Sequence, residues 1–363
     1  MSGNTFTHHG TPFLPGKSQD TAVVWLIGSG KVGKAFLKML DPGRHFLHGV
    51  MNSRKMLINT GGIQNEKAAA LLESKGSVQD FWIFLGEMVK DNARRIICVD
   101  CTASTEIAMR HREILSTGVH LVTANKIGLS GDYHYYRSLK AVCREMHVRY
   151  RYETTVGAAL PVISSIRRLL SAGDRISRIE AVPSGTLSYL FNQLSVENPF
   201  SRVIRSARDK GYTEPDPRQD LQGMDAARKA LIMARETGRG LEMQDAVPPQ
   251  IISEGARRAE DTETFLHMLE KDDDKWGKRM QELKEAGKRL RYIVTVAKGG
   301  IRIGLRECTP EHPFYHLSGT ENIFAIYSEQ FAEAPLVIRG AGAGAELTAS
   351  GVLADLVEIC ECT

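Results

Sequence analysis

Between Thr21 and Gly28 the chain runs through Ala22-Val23-Val24-Trp25-Leu26-Ile27 without polar alternation, the pattern of a strand covered on both faces. Gly28-Ser29-Gly30-Lys31-Val32-Gly33 follows at once. Ala35, Phe36, Leu37 and Leu40 then keep helical spacing until Asp41-Pro42-Gly43 breaks it. Further strands are predicted from Phe46 to Val50, Ile96 to Val99 and Val119 to Val122, with helical segments near 66–74, 79–90 and 105–116 between them. Strands alternating with helices predict a parallel sheet with helices on its faces.

From about Tyr150 the texture changes. Leu160 to Leu170 and Leu187 to Leu194 read as helices, and residues 223–237 form a clear one closed by Gly238. Residues 255–290 are highly charged with scattered apolar positions, which predicts solvated helices. Tyr292 to Val296, Gly299-Gly300 and Ile301 to Leu305 predict a hairpin, and Pro335 to Ile338 one more strand. Gly340, Gly342 and Gly344 then allow close backbone approach to a ligand, and Leu347 to Ile359 is an apolar helix that needs a sheet to cover. The expected fold class is α/β: a loose polar tail over 1–20, a nucleotide-binding domain over 21–150, a mixed α/β domain over 151–335, and a segment over 336–363 that returns to the first domain.

Composition narrows the function classes. A chain of 363 residues, 42% hydrophobic and 25% charged, is long enough for two cores. No apolar run approaches the ~20 residues of a membrane span, so no membrane partner is expected. The net charge of +4 is spread over interspersed acids and bases, so nucleic acid is not expected either. The six cysteines do not form the framework of a secreted domain, and residues 1–20 lack a signal peptide's apolar stretch, which together predict a cytoplasmic protein. Cys98-Val99-Asp100-Cys101 has no second pair at metal-ligand spacing and is read as buried strand. His120 is read as a satisfied core side chain, and His312 and His316 as loop residues without a role.

The glycine run carries chemistry because of its context, strand before and helix after. Gly28 permits the tight turn, Gly30 lets phosphates approach the backbone, and Gly33 lets helix pack on strand, with the helix N-terminus at Lys31 and Val32 facing a pyrophosphate. This is the Rossmann dinucleotide motif. An acidic residue at the end of the second strand would bind a ribose hydroxyl and repel a 2′-phosphate, but Asn52-Ser53-Arg54 stands there instead. Arg54 pairing with a 2′-phosphate, helped by Ser53, predicts NADP(H) as the preferred cofactor, with NAD(H) also accepted.

The second chemical stretch runs from Lys210 to Lys229 and holds Glu214, Asp216, Asp220 and Asp225 among several bases. Pro215 and Pro217 are expected to hold the loop extended, so that Glu214 and Asp220 point into one cavity. Asp225 and Lys229, four apart on one helix face, read either as a solvated surface pair or as a part-buried lysine aimed by a carboxylate.

This stretch resembles the homoserine dehydrogenase family, and the likeness runs nearly throughout from Thr21. It includes the glycine run, Asp100-Cys101-Thr102-Ala103-Ser104, Val122-Thr123-Ala124-Asn125-Lys126, and Tyr152-Glu153-Thr154-Thr155-Val156-Gly157-Ala158-Ala159-Leu160-Pro161. Pro183-Ser184-Gly185-Thr186-Leu187-Ser188-Tyr189 and the block from Gly340 to Thr348 complete it. Blocks such as Ala234-Arg235-Glu236-Thr237-Gly238 look most like the dehydrogenase module of bifunctional aspartokinase–homoserine dehydrogenases.

The resemblance implies interconversion of L-homoserine and L-aspartate 4-semialdehyde, and a second domain that binds substrate and builds a homodimer or homotetramer. Lys126 and Lys229 would exchange a proton with the substrate oxygen, and Asp225 would orient the lysine. Glu214 and Asp220 would hold the substrate ammonium, with Thr186 and Tyr212 beside them. Asn52, Ser53, Arg54, Thr102, Ala103, Lys126, Gly342 and Glu346 would line the cofactor. Glu153, with the carbonyls of Val156, Ala158 and Leu160, would hold a monovalent cation, Na or K, although Glu153 reads equally as a buried carboxylate receiving backbone hydrogen bonds.

The chain departs from the family pattern in three places: Ile127 stands where a second lysine is frequent, Ala159 where glycine is usual, and Gln219 where an aspartate is frequent. No kinase precedes this module and no regulatory domain follows Thr363, so the expectation is either absent threonine feedback or a module of a longer chain. Two other readings compete: another Rossmann amino-acid or semialdehyde dehydrogenase, such as an aspartate dehydrogenase, and a nucleotide-binding homologue without turnover.

Overall fold

A computed structural model describes residues 21–361 apart from 92 and 94; the expected tail over 1–20 lies outside them. The first sheet contains β1 (Ala22–Ile27), β2 (His45–Met51), β3 (Lys55–Ile58), β4 (Ser77–Val78), β5 (Ile96–Asp100), β6 (His120–Thr123) and β7 (Tyr150–Arg151). Their order is β4-β3-β2-β1-β5-β6-β7. β2, β1, β5, β6 and β7 run parallel, as the strand–helix alternation predicted. β3 and β4 correct that reading, because they turn back antiparallel at one edge. The reversal is made by Asn52, whose Oδ1 accepts the Arg54 and Lys55 N–H groups at 2.9 and 2.8 Å.

β1 is apolar throughout because both faces are covered. Val23, Trp25 and Ile27 enter one core, and Ala22, Val24 and Leu26 the other, the period of two expected of a strand. On the second face lie the helices Lys31–Met39, Ala68–Lys75 and Ala345–Glu361, the last inserting Ala349, Val352, Leu356 and Ile359. The C-terminal helix thus packs against the first sheet. β1 lies between β2 and β5, so the sheet order reverses there and a crevice opens at the strands' carboxyl ends.

The second sheet is antiparallel, in the order β10-β9-β8-β11-β12. It comprises β8 (Ile176–Val182), β9 (Arg289–Ala297), β10 (Gly300–Cys308), β11 (Glu321–Ser328) and β12 (Leu336–Ala341). β9 and β10 form the predicted hairpin, while β8 and β11 carried no clean alternation and were not foreseen. The charged stretch forms short helices between Glu254 and Glu285, but it is not purely solvated. Phe265, Leu266, Leu269, Trp276 and Leu283 are buried, and the Trp276 ring stacks on Phe200 at 4.9 Å. Glu180, buried in β8, pairs with Arg306 at 2.7 Å and lies 3.5 Å from His312, so His312 has a partner that its loop setting did not suggest.

Two residues at the end of the Met224–Glu236 helix tie the domains together. Buried Arg235 donates to the carbonyls of Leu129 and Gly131 at 2.8 and 2.7 Å. Glu236 accepts from Arg167 of its own domain at 2.9 Å, and from Lys140 and Tyr136 of the first at 3.1 and 3.0 Å.

The Ala345–Glu361 helix makes a further tie, with buried Asp355 accepting the Glu153 N–H at 2.9 Å. Burial pushes the Asp355 carboxyl up to about 7; the nearby Glu153 charge adds to this, and the N–H bond partly opposes it. A carboxyl raised above its unfolded value of about 3.9 is stabilising below that pH and loses this contribution as pH rises through the folded value. Asp355→Asn should therefore raise the thermal midpoint by roughly 2–5 °C at pH 8 and by much less at pH 4.5. Equal shifts at both pH values, read by calorimetry, would contradict this.

Candidate active site

The glycine run lies at the crevice. Gly28 takes φ +100°, a left-handed conformation open to glycine, and a Cβ on Gly33 would sit 1.9 Å from the Gly28 carbonyl oxygen. Gly30 precedes the Lys31–Met39 helix, and a Cβ there would meet nothing, so its backbone faces open space. A cavity of about 600 Å³ opens here. Gly28, Gly30, Asn52, Ser53, Arg54, Thr102 and Ala103 line it. Lys31 is exposed and lines neither this cavity nor the next; Lys34, one turn on, does line it.

The Thr102 loop is held by a network that sequence reasoning missed. Asp100, fully buried at the end of β5, accepts the Thr102 N–H at 2.8 Å and pairs with His111 Nε2 at 2.8 Å, while His111 Nδ1 meets the Tyr150 hydroxyl at 2.9 Å. These residues come from separate elements, and nothing in their spacing announces the contact.

A second cavity, about 800 Å³, lies between the domains and shares Thr102 and Ala103 with the first. Val32, Lys126, Ala158, Thr186, Tyr212, Glu214, Asp220, Asp225, Lys229 and Gly342 line it. Lys126 follows β6 at the start of the short Ile127–Ser130 helix. Its Nζ lies 3.3 Å from Asp225 Oδ1, and Lys229 Nζ lies 2.6 Å from Asp225 Oδ2. Lys229 also donates to the Pro183 carbonyl at 2.7 Å.

Of the two readings of the Asp225–Lys229 pair, the surface bridge is excluded, because Lys229 is 7% exposed. Burial lowers the Lys229 pKa, the Asp225 charge opposes that fall, and the Lys126 charge adds to it. Asp225 is half-exposed and lines the cavity; burial raises its carboxyl, but the two lysines outweigh this and hold it well below the usual range. Gly223 sets the start of this helix with φ +70°, and a Cβ there would fall 2.2 Å from the Tyr292 hydroxyl.

Glu214 and Asp220 do share a cavity, but not by way of an extended loop. Pro217 starts a helical turn, Arg218–Leu221, which carries Asp220 inward. Asp220 Oδ2 accepts the Glu214 N–H at 2.8 Å, and Oδ1 lies 3.1 Å from Thr186 Oγ1. Burial raises the Asp220 carboxyl, against these hydrogen bonds and with the help of the neighbouring Glu214 and Asp225 charges. Tyr212 joins through its carbonyl, which accepts from Thr186 Oγ1 at 2.6 Å.

Two kinds of comparison bear on this arrangement. Residues 161–357 match the family homoserine dehydrogenase, and residues 28–153 match homoserine dehydrogenase, NAD binding domain. The chain belongs to the homoserine dehydrogenase family. A homoserine dehydrogenase of Emericella nidulans is 38% identical over 279 residues, covering 74% of this chain and 76% of that one. The bifunctional aspartokinase/homoserine dehydrogenase 2, chloroplastic, of Zea mays is 37% identical over 356 residues, 94% of this chain but 39% of the relative, so the chain spans about two-fifths of the bifunctional proteins it matches. Among solved structures, a Candida auris protein of unknown function aligns with TM-score 0.87 and 30% identity, covering 94% and 99% of the two chains. A putative homoserine dehydrogenase of Archaeoglobus fulgidus aligns with TM-score 0.75 and 25% identity, covering 93% and 99%.

Within this family frame, Gly342 lines the cavity, Glu346 lies outside it and Glu153 caps a helix. A Cβ on Gly342 would lie 1.9 Å from Asn322 Nδ2, so this glycine makes room for Asn322, which donates to the same Pro183 carbonyl that receives Lys229. Glu346 is exposed and lines neither cavity; Thr348 lines the larger one. Glu153 accepts the Ile163 and Ser164 N–H groups at 2.6 and 2.7 Å, capping the Val162–Ser171 helix. The Leu160 carbonyl accepts the Val162 N–H at 2.8 Å. Two of the four suggested cation donors are thus already engaged, and their arrangement fits a helix cap better than a cation cradle.

Gly33→Ala forces its new methyl group against the Gly28 carbonyl, so it should weaken NADPH binding by more than tenfold while far-UV circular dichroism stays close to wild type. Fluorescence titration with NADPH checks this.

Proposed function

We propose that the chain interconverts L-homoserine and L-aspartate 4-semialdehyde with NADP(H) as the preferred cofactor, Lys126 and Lys229 serving proton transfer at the substrate oxygen. The reaction would lie on the route from aspartate to threonine, methionine and isoleucine. One observation carries the reading: two amines from different domains meet on the Asp225 carboxylate, inside a cavity that adjoins the glycine-turn cleft.

The nicotinamide, when bound, exchanges the hydride. In the oxidative direction the hydroxyl proton of homoserine goes to a neutral lysine amine, and the carbon loses its hydride as the carbonyl forms. In reverse, an ammonium stabilises the growing negative charge on oxygen and returns the proton. A lysine works as a base near neutral pH only with a lowered pKa, and Lys229 has the burial and the neighbouring cation that lower it. Asp225 restrains the two amines against their mutual repulsion. Glu214 and Asp220 supply negative charge for the substrate ammonium, while Thr186 and Tyr212 fix the Asp220 wall.

NADP preference is supported by Arg54 and Ser53 in the cleft wall and by Asn52 where an acid would repel a 2′-phosphate. Any monovalent cation held by the carbonyls of Val156, Ala158 and Leu160 must share Glu153 with the helix it caps. We also expect the second domain to build a homodimer or homotetramer.

Reduction of NADP by homoserine, followed by nicotinamide absorbance, tests the assignment. Lys126→Ala and Lys229→Ala should each lower kcat by at least about 100-fold; near-wild-type rates in both would overturn it. In the oxidative direction kcat/KM should rise with pH as Lys229 loses its proton. Asp225→Asn removes an anion and should move that limb to lower pH, whereas Lys126→Ala removes a cation and should move the residual limb to higher pH.

A further inference from the structure

The cleft that would receive the adenosine half of the cofactor contains an acidic residue that the fingerprint logic does not place there. The end of β2 holds Asn52, and its side chain is occupied: Oδ1 caps the β2–β3 turn, while Nδ2 donates to Glu73 Oε1 at 3.2 Å. Glu73 stands on the Ala68–Lys75 helix, not on a strand, and lines the cleft with Ser53 and Arg54. Its carboxylate lies 3.9 Å from Arg54 Nη2, and its backbone carbonyl accepts from Lys55 Nζ. Arg54 is 78% exposed and Glu73 53%, so both are free to rearrange around a ligand.

We propose that Glu73 is the residue that sets cofactor choice, supplying from a neighbouring helix the acidic ribose contact that the strand end lacks. With a cofactor carrying a free ribose 2′-hydroxyl, the Glu73 carboxylate accepts that hydroxyl's hydrogen bond, and Arg54 stays paired with Glu73. With a 2′-phosphate, Arg54 must leave Glu73 for the phosphate, and the carboxylate then stands beside a group of about −1.5 to −2 charge. Glu73 thus favours the unphosphorylated cofactor and opposes the phosphorylated one, while Arg54 does the reverse. The balance admits both nicotinamide dinucleotides with a modest preference rather than an absolute one. This rests on reading the cleft as a nicotinamide dinucleotide site and deepens the NADP assignment.

The test is binding, not turnover: fluorescence titration of the full chain with NADPH and with NADH, and calorimetry with 2′,5′-ADP and 5′-ADP as competitors lacking the nicotinamide. Glu73→Gln removes the charge but keeps an oxygen for the Asn52 hydrogen bond. It should raise the NADPH:NADH affinity ratio about tenfold, through tighter NADPH and weaker NADH binding. Glu73→Ala should act in the same direction, and Arg54→Gln in the opposite one. The 2′,5′-ADP:5′-ADP ratio should follow. A ratio within twofold of wild type in both Glu73 variants, or one that falls, overturns the proposal. The wild-type ratio alone tests NADP preference, and its change on substitution tests Glu73, so each can fail without the other.

Discussion

A carboxylate shared between two ammonium groups is the constraint around which the molecule is arranged. Asp225 meets Lys126 of the first domain and Lys229 of its own helix, and without it two positive charges would face each other across a partly desolvated cavity. Such an arrangement persists only if the Met224–Glu236 helix is docked rigidly on the nucleotide-binding domain. The other end of the same helix provides the docking, through Arg235 and Glu236. Near the amines, the Pro183 carbonyl fixes Lys229 and is fixed in turn by Asn322, which needs the space left by Gly342. The Asp225 cluster and the domain interface are therefore one structure: displacing the helix would separate the amines and uncover the cavity together.

What could be read along the chain was whatever depends on neighbours in sequence. β1, the glycine turn and the helix after it follow from period and from steric rules at Gly28 and Gly33, and the spacing of Asp225 and Lys229 already put them on one helical face. The third member of that cluster, Lys126, comes from a different strand–helix turn, and only the family resemblance brought it in. The Asp100–His111–Tyr150 network likewise joins separate elements and has no local pattern. β3 and β4 are too short to show a period, and in β8 the polar residues Arg178 and Glu180 interrupt the apolar run because one face of that sheet carries the Glu180–Arg306 ion pair. Lys31 and Glu346 were placed at the cofactor by position within a motif, but in a helix's first turn the backbone N–H groups face the cleft while side chains radiate outward.

Polar side chains are also taken up where the backbone needs them. Asn52 was read for what it would say to a ribose, yet its oxygen closes a turn. Glu153 was read equally as a cation ligand and as a buried carboxylate receiving backbone hydrogen bonds, and both its oxygens accept helix N–H groups. In each case local backbone donors without other partners claim the side chain.

The helix Ala345–Glu361 covers one face of the first sheet, beside the helix that follows the glycine turn. Residues 21–150 hold the dinucleotide motif, yet their hydrophobic layer is completed only by this distant segment, after residues 151–335 have been made. A chain stopped before it would leave the Lys31–Met39 helix and β6 without the Ala345–Glu361 helix that packs on them. The nucleotide-binding unit thus precedes the second domain along the chain, yet its hydrophobic layer is completed only by a segment that follows that domain.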